Sequence, residues 1–229
     1  MSRLDDLAAN LEALERRVAA ACEAAGRVRA DVSVIAVSKT WPVSDILLLR
    51  ELGLTDFGEN RDQEAAGKAR ELPGVHWHFV GAVQTNKARS VASYADVVHS
   101  VDRPGLVRAL SDGAVRAGRL VQALVQVSLD GAPGRGGAPV ADVPRLADEV
   151  AAADGLRLAG LMAVAPLDQD PVAAFSRLAE VAGVVRRQHP DAQMLSAGMS
   201  SDLEAAVSAG ANALRVGTAL FGHRPPLLR

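Results

Sequence analysis

The chain has 229 residues, an apolar fraction of 49% and 25 basic against 27 acidic residues, a formal charge of −2. That balance removes the electrostatic basis for general nucleic-acid binding, and no run approaches the ~18 uninterrupted apolar residues that a membrane span requires. The charged start SRLDDLAANLEALERR does not fit a signal peptide, and the single Cys22 permits neither an internal disulfide nor a cysteine zinc cage. The expectation is a cytoplasmic globular monomer without nucleic-acid or membrane partners.

Leu4, Leu7, Leu11, Leu14 and Val18 recur at steps of three and four, the stripe of an amphipathic helix, with Ser2 and Asp5 placed as a capping pair. Cys22 falls in the same helix among alanines, where a buried, inert thiol is expected. Val32 to Val37 is a short β-branched run that reads as a strand buried on both faces. Thereafter helices and strands alternate. The pattern predicts helices over Val43 to Leu52, Asn60 to Leu72, Thr85 to Ser93, Pro104 to Ala117, Val143 to Ala153, Pro171 to Gln188 and Ser201 to Ser208. Between them it predicts strands over Leu54 to Phe57, Trp77 to Val80, Ala95 to His99, Val121 to Leu129, Leu156 to Val164, Ala192 to Leu195 and Ala213 to Val216. Eight strands in this rhythm predict an α/β fold, a single (β/α)8 TIM barrel with an extra N-terminal helix, one domain over 1–229. An open doubly wound sheet is the alternative, but no GxGxxG follows the first strand. Asp130 to Pro139 (DGAPGRGGAP) reads as a loop on the carboxyl face, where a lid could form.

Lys39 sits just past the carboxyl end of the first strand, where barrels bind ligands. A lysine there is either a plain surface residue or an amine nucleophile. LSAGMSSD (Leu195 to Asp202) and RVGTALFG (Arg215 to Gly222) follow strands seven and eight, the loops that frequently form a phosphate site. Ser196, Gly198, Ser200, Gly217 and Thr218 are suitable residue types for it, although Ser and Gly are common in ordinary turns. Lysine and cradle become neighbours when the barrel closes. That combination suggests pyridoxal 5'-phosphate (PLP), its aldehyde on the lysine and its phosphate in the loops.

Six motifs then carry a resemblance that runs nearly end to end: AVSKTWP (Ala36 to Pro42), FGEN with QE shortly after (Phe57 to Glu64), HWHFVGAVQTNK (His76 to Lys87), GLMAVAP (Gly160 to Pro166), LSAGMSSD and RVGTALFG. With them the chain resembles the pyridoxal phosphate homeostasis protein family, relatives of the N-terminal barrel of alanine racemase. The resemblance implies a Schiff base at Lys39, phosphate contacts from Ser196, Met199, Ser200, Gly217 and Thr218, Arg215 towards the pyridine nitrogen, and Asn60 lining the pocket. It implies a non-catalytic PLP carrier that buffers the cofactor or delivers it to PLP-requiring apo-enzymes. Arg61 stands where the family usually has an aromatic residue, Ala197 where it often has methionine, and GRGG occupies a loop that many relatives fill with acidic residues and lysines.

Two other functions stay open, a PLP-dependent amino-acid racemase and a phosphate-ligand barrel enzyme without PLP. The racemase needs a second acid or base opposite Lys39, and His78 is a candidate. Tyr94, the only tyrosine, is expected at the amino end of the strands, away from the site. His76 and His78 share one face of a strand, but further ligands are not evident, so no metal is expected. Gln84, Asn86 and Lys87 either face the pocket or begin a solvated helix.

Overall fold

A computed structural model of the chain describes residues 2–132 and 135–222. Eight parallel strands, β1 (Ser33–Val37), β2 (Asp56–Glu59), β3 (His76–Phe79), β4 (Val97–Val101), β5 (Val121–Ser128), β6 (Leu156–Met162), β7 (Met194–Ser196) and β8 (Ala213–Val216), pair in chain order. The sheet closes because β1 also pairs with β8, setting Ala36 opposite Val216, while β4 joins β5. This is the expected (β/α)8 barrel, an α/β TIM barrel preceded by a helix.

Helix α1 (Arg3–Ala24) opens with a reciprocal capping box, the Ser2 hydroxyl accepting from the Asp5 N–H while the Asp5 carboxylate accepts from the Ser2 N–H. Its stripe of Leu7, Leu14, Val18, Ala21 and Cys22 is buried, and the helix packs on α8 (Leu203–Ser208) and α9 (Thr218–Phe221) at the closing edge of the barrel. Cys22 is therefore a core residue. The remaining helices, α2 (Val43–Glu51), α3 (Asp62–Glu71), α4 (Ala88–Tyr94), α5 (Pro104–Ala117), α6 (Val143–Ala151) and α7 (Pro171–Gln188), complete the outer ring. Pro104 and Pro171 each occupy the first turn, where a missing N–H costs nothing, so α5 and α7 begin where the sequence places them. No helix among the described residues is long and apolar enough to cross a membrane.

Most buried apolar side chains form one large cluster, and Val97, Leu124, Ala159 and Met162 form a second, small one. β2 and β4 begin two residues later than the apolar pattern predicts and end on residues that pattern left out, Gly58 and Glu59, Ser100 and Val101. Polar residues are admitted to these strands because they find partners inside the barrel or at its rim. The 130–139 loop does not stand free over its described part. Ala138–Pro139 forms a two-residue strand beside Val127 and Ser128, and Arg135 donates to the Ala165 carbonyl. Pro133 and Gly134 of that loop lie outside the described residues.

Candidate functional site

The turn after β1 is shaped by ion pairs. Thr40 has φ 67°, a left-handed conformation that a β-branched residue avoids, so surrounding contacts must impose it. They do so from both sides. The Thr40 N–H donates to Glu64 Oε1 at 2.6 Å, and buried Lys68 donates to the Ser38 carbonyl at 2.8 Å. Lys68 Nζ also reaches Glu59 Oε1 at 2.6 Å and Glu64 Oε1 at 2.7 Å, while the Ser38 hydroxyl donates to Glu59. Burial raises the Glu59 carboxyl above its ordinary value, with Lys68 opposing the shift. The chain has three lysines. Lys68 is spent on this cluster and Lys87 lies 3.8 Å from Asp62, whereas Lys39, half-buried, makes no ion pair among the described residues.

Beside this turn lie the loops after β7 and β8. A Cβ on Gly198 (φ 89°) would lie 2.7 Å from the Ala206 Cβ and 2.9 Å from Leu214, so only glycine lets this loop fold back on α8. The loop sets Met199 and Ser200, both half-buried, next to the first turn of α9, where the Ala219 N–H donates to Ser200 Oγ at 3.1 Å. Gly217 packs against the Val37 carbonyl, and Thr218 is exposed. Trp41 stacks on Phe221 at 5.5 Å between ring centroids, and Arg3 lies over Trp41 while donating to the Phe221 carbonyl. The lysine turn and the cradle helix are thus clamped together. The Met199 N–H is already engaged by the Asp202 carboxylate at 2.6 Å, an acidic oxygen held by a loop N–H. Asn60 is half-buried past the end of β2, and Gly81 packs so closely on it that an added Cβ would fall 2.2 Å from the Asn60 carbonyl oxygen.

Arg215 on β8 is buried inside the barrel. It donates to Ser196 Oγ at 2.6 Å and to the Ala163 carbonyl at 2.9 Å, and no carboxylate pairs with it among the described residues. Burial lowers its pKa to about 10, against the field of Asp202, so it remains a cation at neutral pH. From Ser196 the hydrogen bonds continue to His99 Nδ1 (2.9 Å), from His99 Nε2 to His78 Nδ1 (2.8 Å), and from His78 Nε2 to Asp56 Oδ1 (2.9 Å). Arg215 can only donate and ionised Asp56 can only accept, so each hydrogen between them points towards Asp56. Burial holds both His78 and His99 below the ordinary imidazole range, which keeps them neutral. Burial opposes ionisation of Asp56 as well, but hydrogen bonds from His76, His78 and Thr55 outweigh it and hold the carboxyl well below its usual range. The Ser196 hydroxyl is committed to Arg215 and His99. Ser196 thus holds Arg215 on one side and meets His99 on the other.

The family model of the alanine racemase N-terminal domain matches residues 3–225. The chain is 43% identical to the pyridoxal phosphate homeostasis protein of Mycobacterium tuberculosis (strain ATCC 25618 / H37Rv), over 97% of this chain and 94% of that protein. It is 34% identical to the protein of that name from Escherichia coli (strain K12), over 96% and 98%. Among solved structures it is similar to PipY of Synechococcus elongatus PCC7942 with PLP bound, with a TM-score of 0.82 and 34% identity over 94% of this chain and all of that one. Alanine racemase from Corynebacterium glutamicum, with a TM-score of 0.69 at 15% identity over 99% of this chain and 62% of that one, shares the fold. The chain belongs to the pyridoxal phosphate homeostasis protein family.

Lys39, Asn60, Met199, Ser200, Gly217 and Thr218 all lie past the carboxyl ends of strands, on the face where the sequence reading expected them. It missed Lys68 and Glu59, whose signal was a charged pair nine residues apart at a strand end and on the helix beyond it. Substituting Lys68→Met leaves Glu59 buried without its cation and should cost about 3 to 5 kcal/mol of unfolding free energy. A carboxyl whose folded pKa lies above its unfolded value destabilises the fold as pH rises through that folded value. Stability of Lys68→Met should therefore fall as pH rises above ordinary carboxylate values, and the double variant with Glu59→Gln should lose that slope. Urea titrations at several pH values check both.

Proposed function

We propose that the protein holds PLP through Lys39 in this single barrel domain, and buffers or delivers the cofactor without efficient catalysis. The observation that carries the reading is Lys39, an amine with no ion pair among the described residues, beside a glycine and hydroxyl cradle clamped to its turn by Trp41 and Phe221. The residues fit the group. Thr218 is exposed and Ser200 and Gly217 half-buried, the buried Arg215 has no carboxylate partner among the described residues, and Gly198 and Gly217 let backbone N–H groups approach. PLP, when bound, supplies an aldehyde that condenses with an amine and a ring that withdraws electrons.

Side chains around the pocket set the limits on that chemistry. Lys39 Nζ is the attachment point, held at the rim by the strained Thr40 turn. Ser200, Gly217 and Thr218 would hold the phosphate, with Asn60 along the pocket wall; the Met199 N–H, expected to share that role, is taken by Asp202. Arg215 faces the pyridine nitrogen as a donor and keeps its proton, so the nitrogen stays unprotonated and the ring remains a weak electron sink. A racemase would also need a second proton carrier facing Lys39. Tyr94 is turned to Asp62 and its hydroxyl is raised by burial, Cys22 is on the buried face of α1, and both His78 ring nitrogens are engaged. The same reading places the chain in the cytoplasm as a monomer that passes PLP to apo-enzymes.

The PLP-loaded protein, incubated with each L-amino acid in deuterated water, should exchange the α-proton no faster than free PLP does. Turnover near the ~10 s⁻¹ of ordinary enzymes would overturn the carrier reading. Combining Ser200→Ala with Thr218→Ala should weaken PLP binding by about 1 to 3 kcal/mol, because two hydrogen bonds to charged oxygen are lost. Pyridoxal, which lacks the phosphate, should be nearly insensitive in the same titration. Equal losses for both ligands would place the phosphate elsewhere.

A further inference from the structure

At the opposite, amino-terminal mouth of the barrel, β2 and β3 pair with Asp56 beside His76, which brings three ligating atoms to one point. Asp56 Oδ1 lies 2.7 Å from His76 Nδ1 and 2.9 Å from His78 Nε2, and the two nitrogens are 3.1 Å apart. The sequence supplied the histidine pair but no third ligand, and parallel register provides it.

We propose that Asp56, His76 and His78 form a binding site for a divalent transition-metal ion of the zinc, cobalt or nickel kind. Hydrogen bonding alone accommodates the triangle poorly. Seen from Asp56 Oδ1 the two nitrogens are roughly 70° apart by those three distances, closer than the lone-pair directions of one carboxylate oxygen. Three donors about 2.1 Å from a common ion and at right angles to one another would stand about 3.0 Å apart, which is the observed spacing. Two imidazoles and a carboxylate on one face also leave positions open for water or a small ligand. The outer contacts that orient such ligands are present. Thr55 Oγ1 donates to Asp56 Oδ2 at 2.6 Å, and His78 Nδ1 meets His99. An ion can enter, because the triad opens into a cavity of about 1020 Å³ that Asp31, Gln122 and Asn212 also line.

Occupancy would reach the other end of the barrel. In the metal-free state His78 Nε2–H donates to Asp56. Coordination needs a lone pair at that nitrogen, so the single proton of His78 moves to Nδ1 and donates to His99 Nε2. His99 in turn carries its proton on Nδ1, directed at Ser196 Oγ, and the serine hydrogen turns away from His99. Each imidazole keeps one proton, so no charge accumulates between the triad and Arg215.

Equilibrium dialysis of the full chain against Co(II), with visible absorption of the dialysed protein, tests the site. One cobalt per chain is expected, weakened at least tenfold by His76→Ala, whose side chain is 40% exposed, and by Asp56→Asn, which keeps the carboxylate's shape. Glu12→Gln, at the exposed Glu12–Arg16 pair of α1, should leave binding unchanged. Cobalt binding unaffected by either triad substitution, or none at millimolar cobalt, would overturn the proposal. With Zn(II), ring ¹⁵N spectra should move the His99 proton from Nε2 to Nδ1. Zinc bound without that change would refute the coupling to Ser196.

Discussion

A guanidinium buried in the centre of the barrel sets the terms for the rest of the structure. Taking a cation out of water is costly unless every donor finds an acceptor, and Arg215 has only a hydroxyl and a carbonyl to offset that cost. The interior around it is consequently not filled with branched aliphatic side chains alone. Ser196, His99, His78 and Asp56 occupy it instead, each satisfying the next, and the line ends on a carboxylate at the far mouth. Because one end can only donate and the other only accept, the hydrogens between them are ordered. The barrel thereby holds a fixed cation under its ligand face while its polar interior remains satisfied.

The ligand face above it works by separating two lysines. Lys68 is locked by Glu59 and Glu64, and in that state it anchors the backbone of the turn that carries Lys39. Lys39 is left without an acidic partner among the described residues. A paired amine would have to break its ion pair before reacting, whereas Lys39 has none to break. The side chains that could carry a second proton are committed elsewhere, Tyr94 to Asp62 and His78 to the barrel interior.

Much of the fold was legible because its signals are local. Pro104 and Pro171 start helices, the α1 stripe marks a buried face, and the apolar runs around Ile35, Val125 and Leu161 mark strands. The errors concentrate where polar residues sit inside the barrel. Glu59 and Ser100 read as loop residues, and β2 and β4 were accordingly placed two residues early. Their justification lies in partners on other elements, Lys68 for Glu59 and the Gly81 carbonyl for Ser100. That Lys39 and the Gly198 to Ser200 stretch share one face was readable because the barrel rule converts sequence order into position. The contacts of Ser196 were not, since nothing in the loop's own sequence points to His99 and Arg215 on either side of it.

Covalent capture at one lysine out of three is the centre of this account, and borohydride reduction of the PLP-loaded protein with peptide mass mapping of the product tests it most directly. The account predicts a reduced adduct on Lys39, with loss of both the adduct and the visible absorption band in Lys39→Ala. An adduct on Lys68 or Lys87, or an unchanged band and adduct in Lys39→Ala, would contradict it.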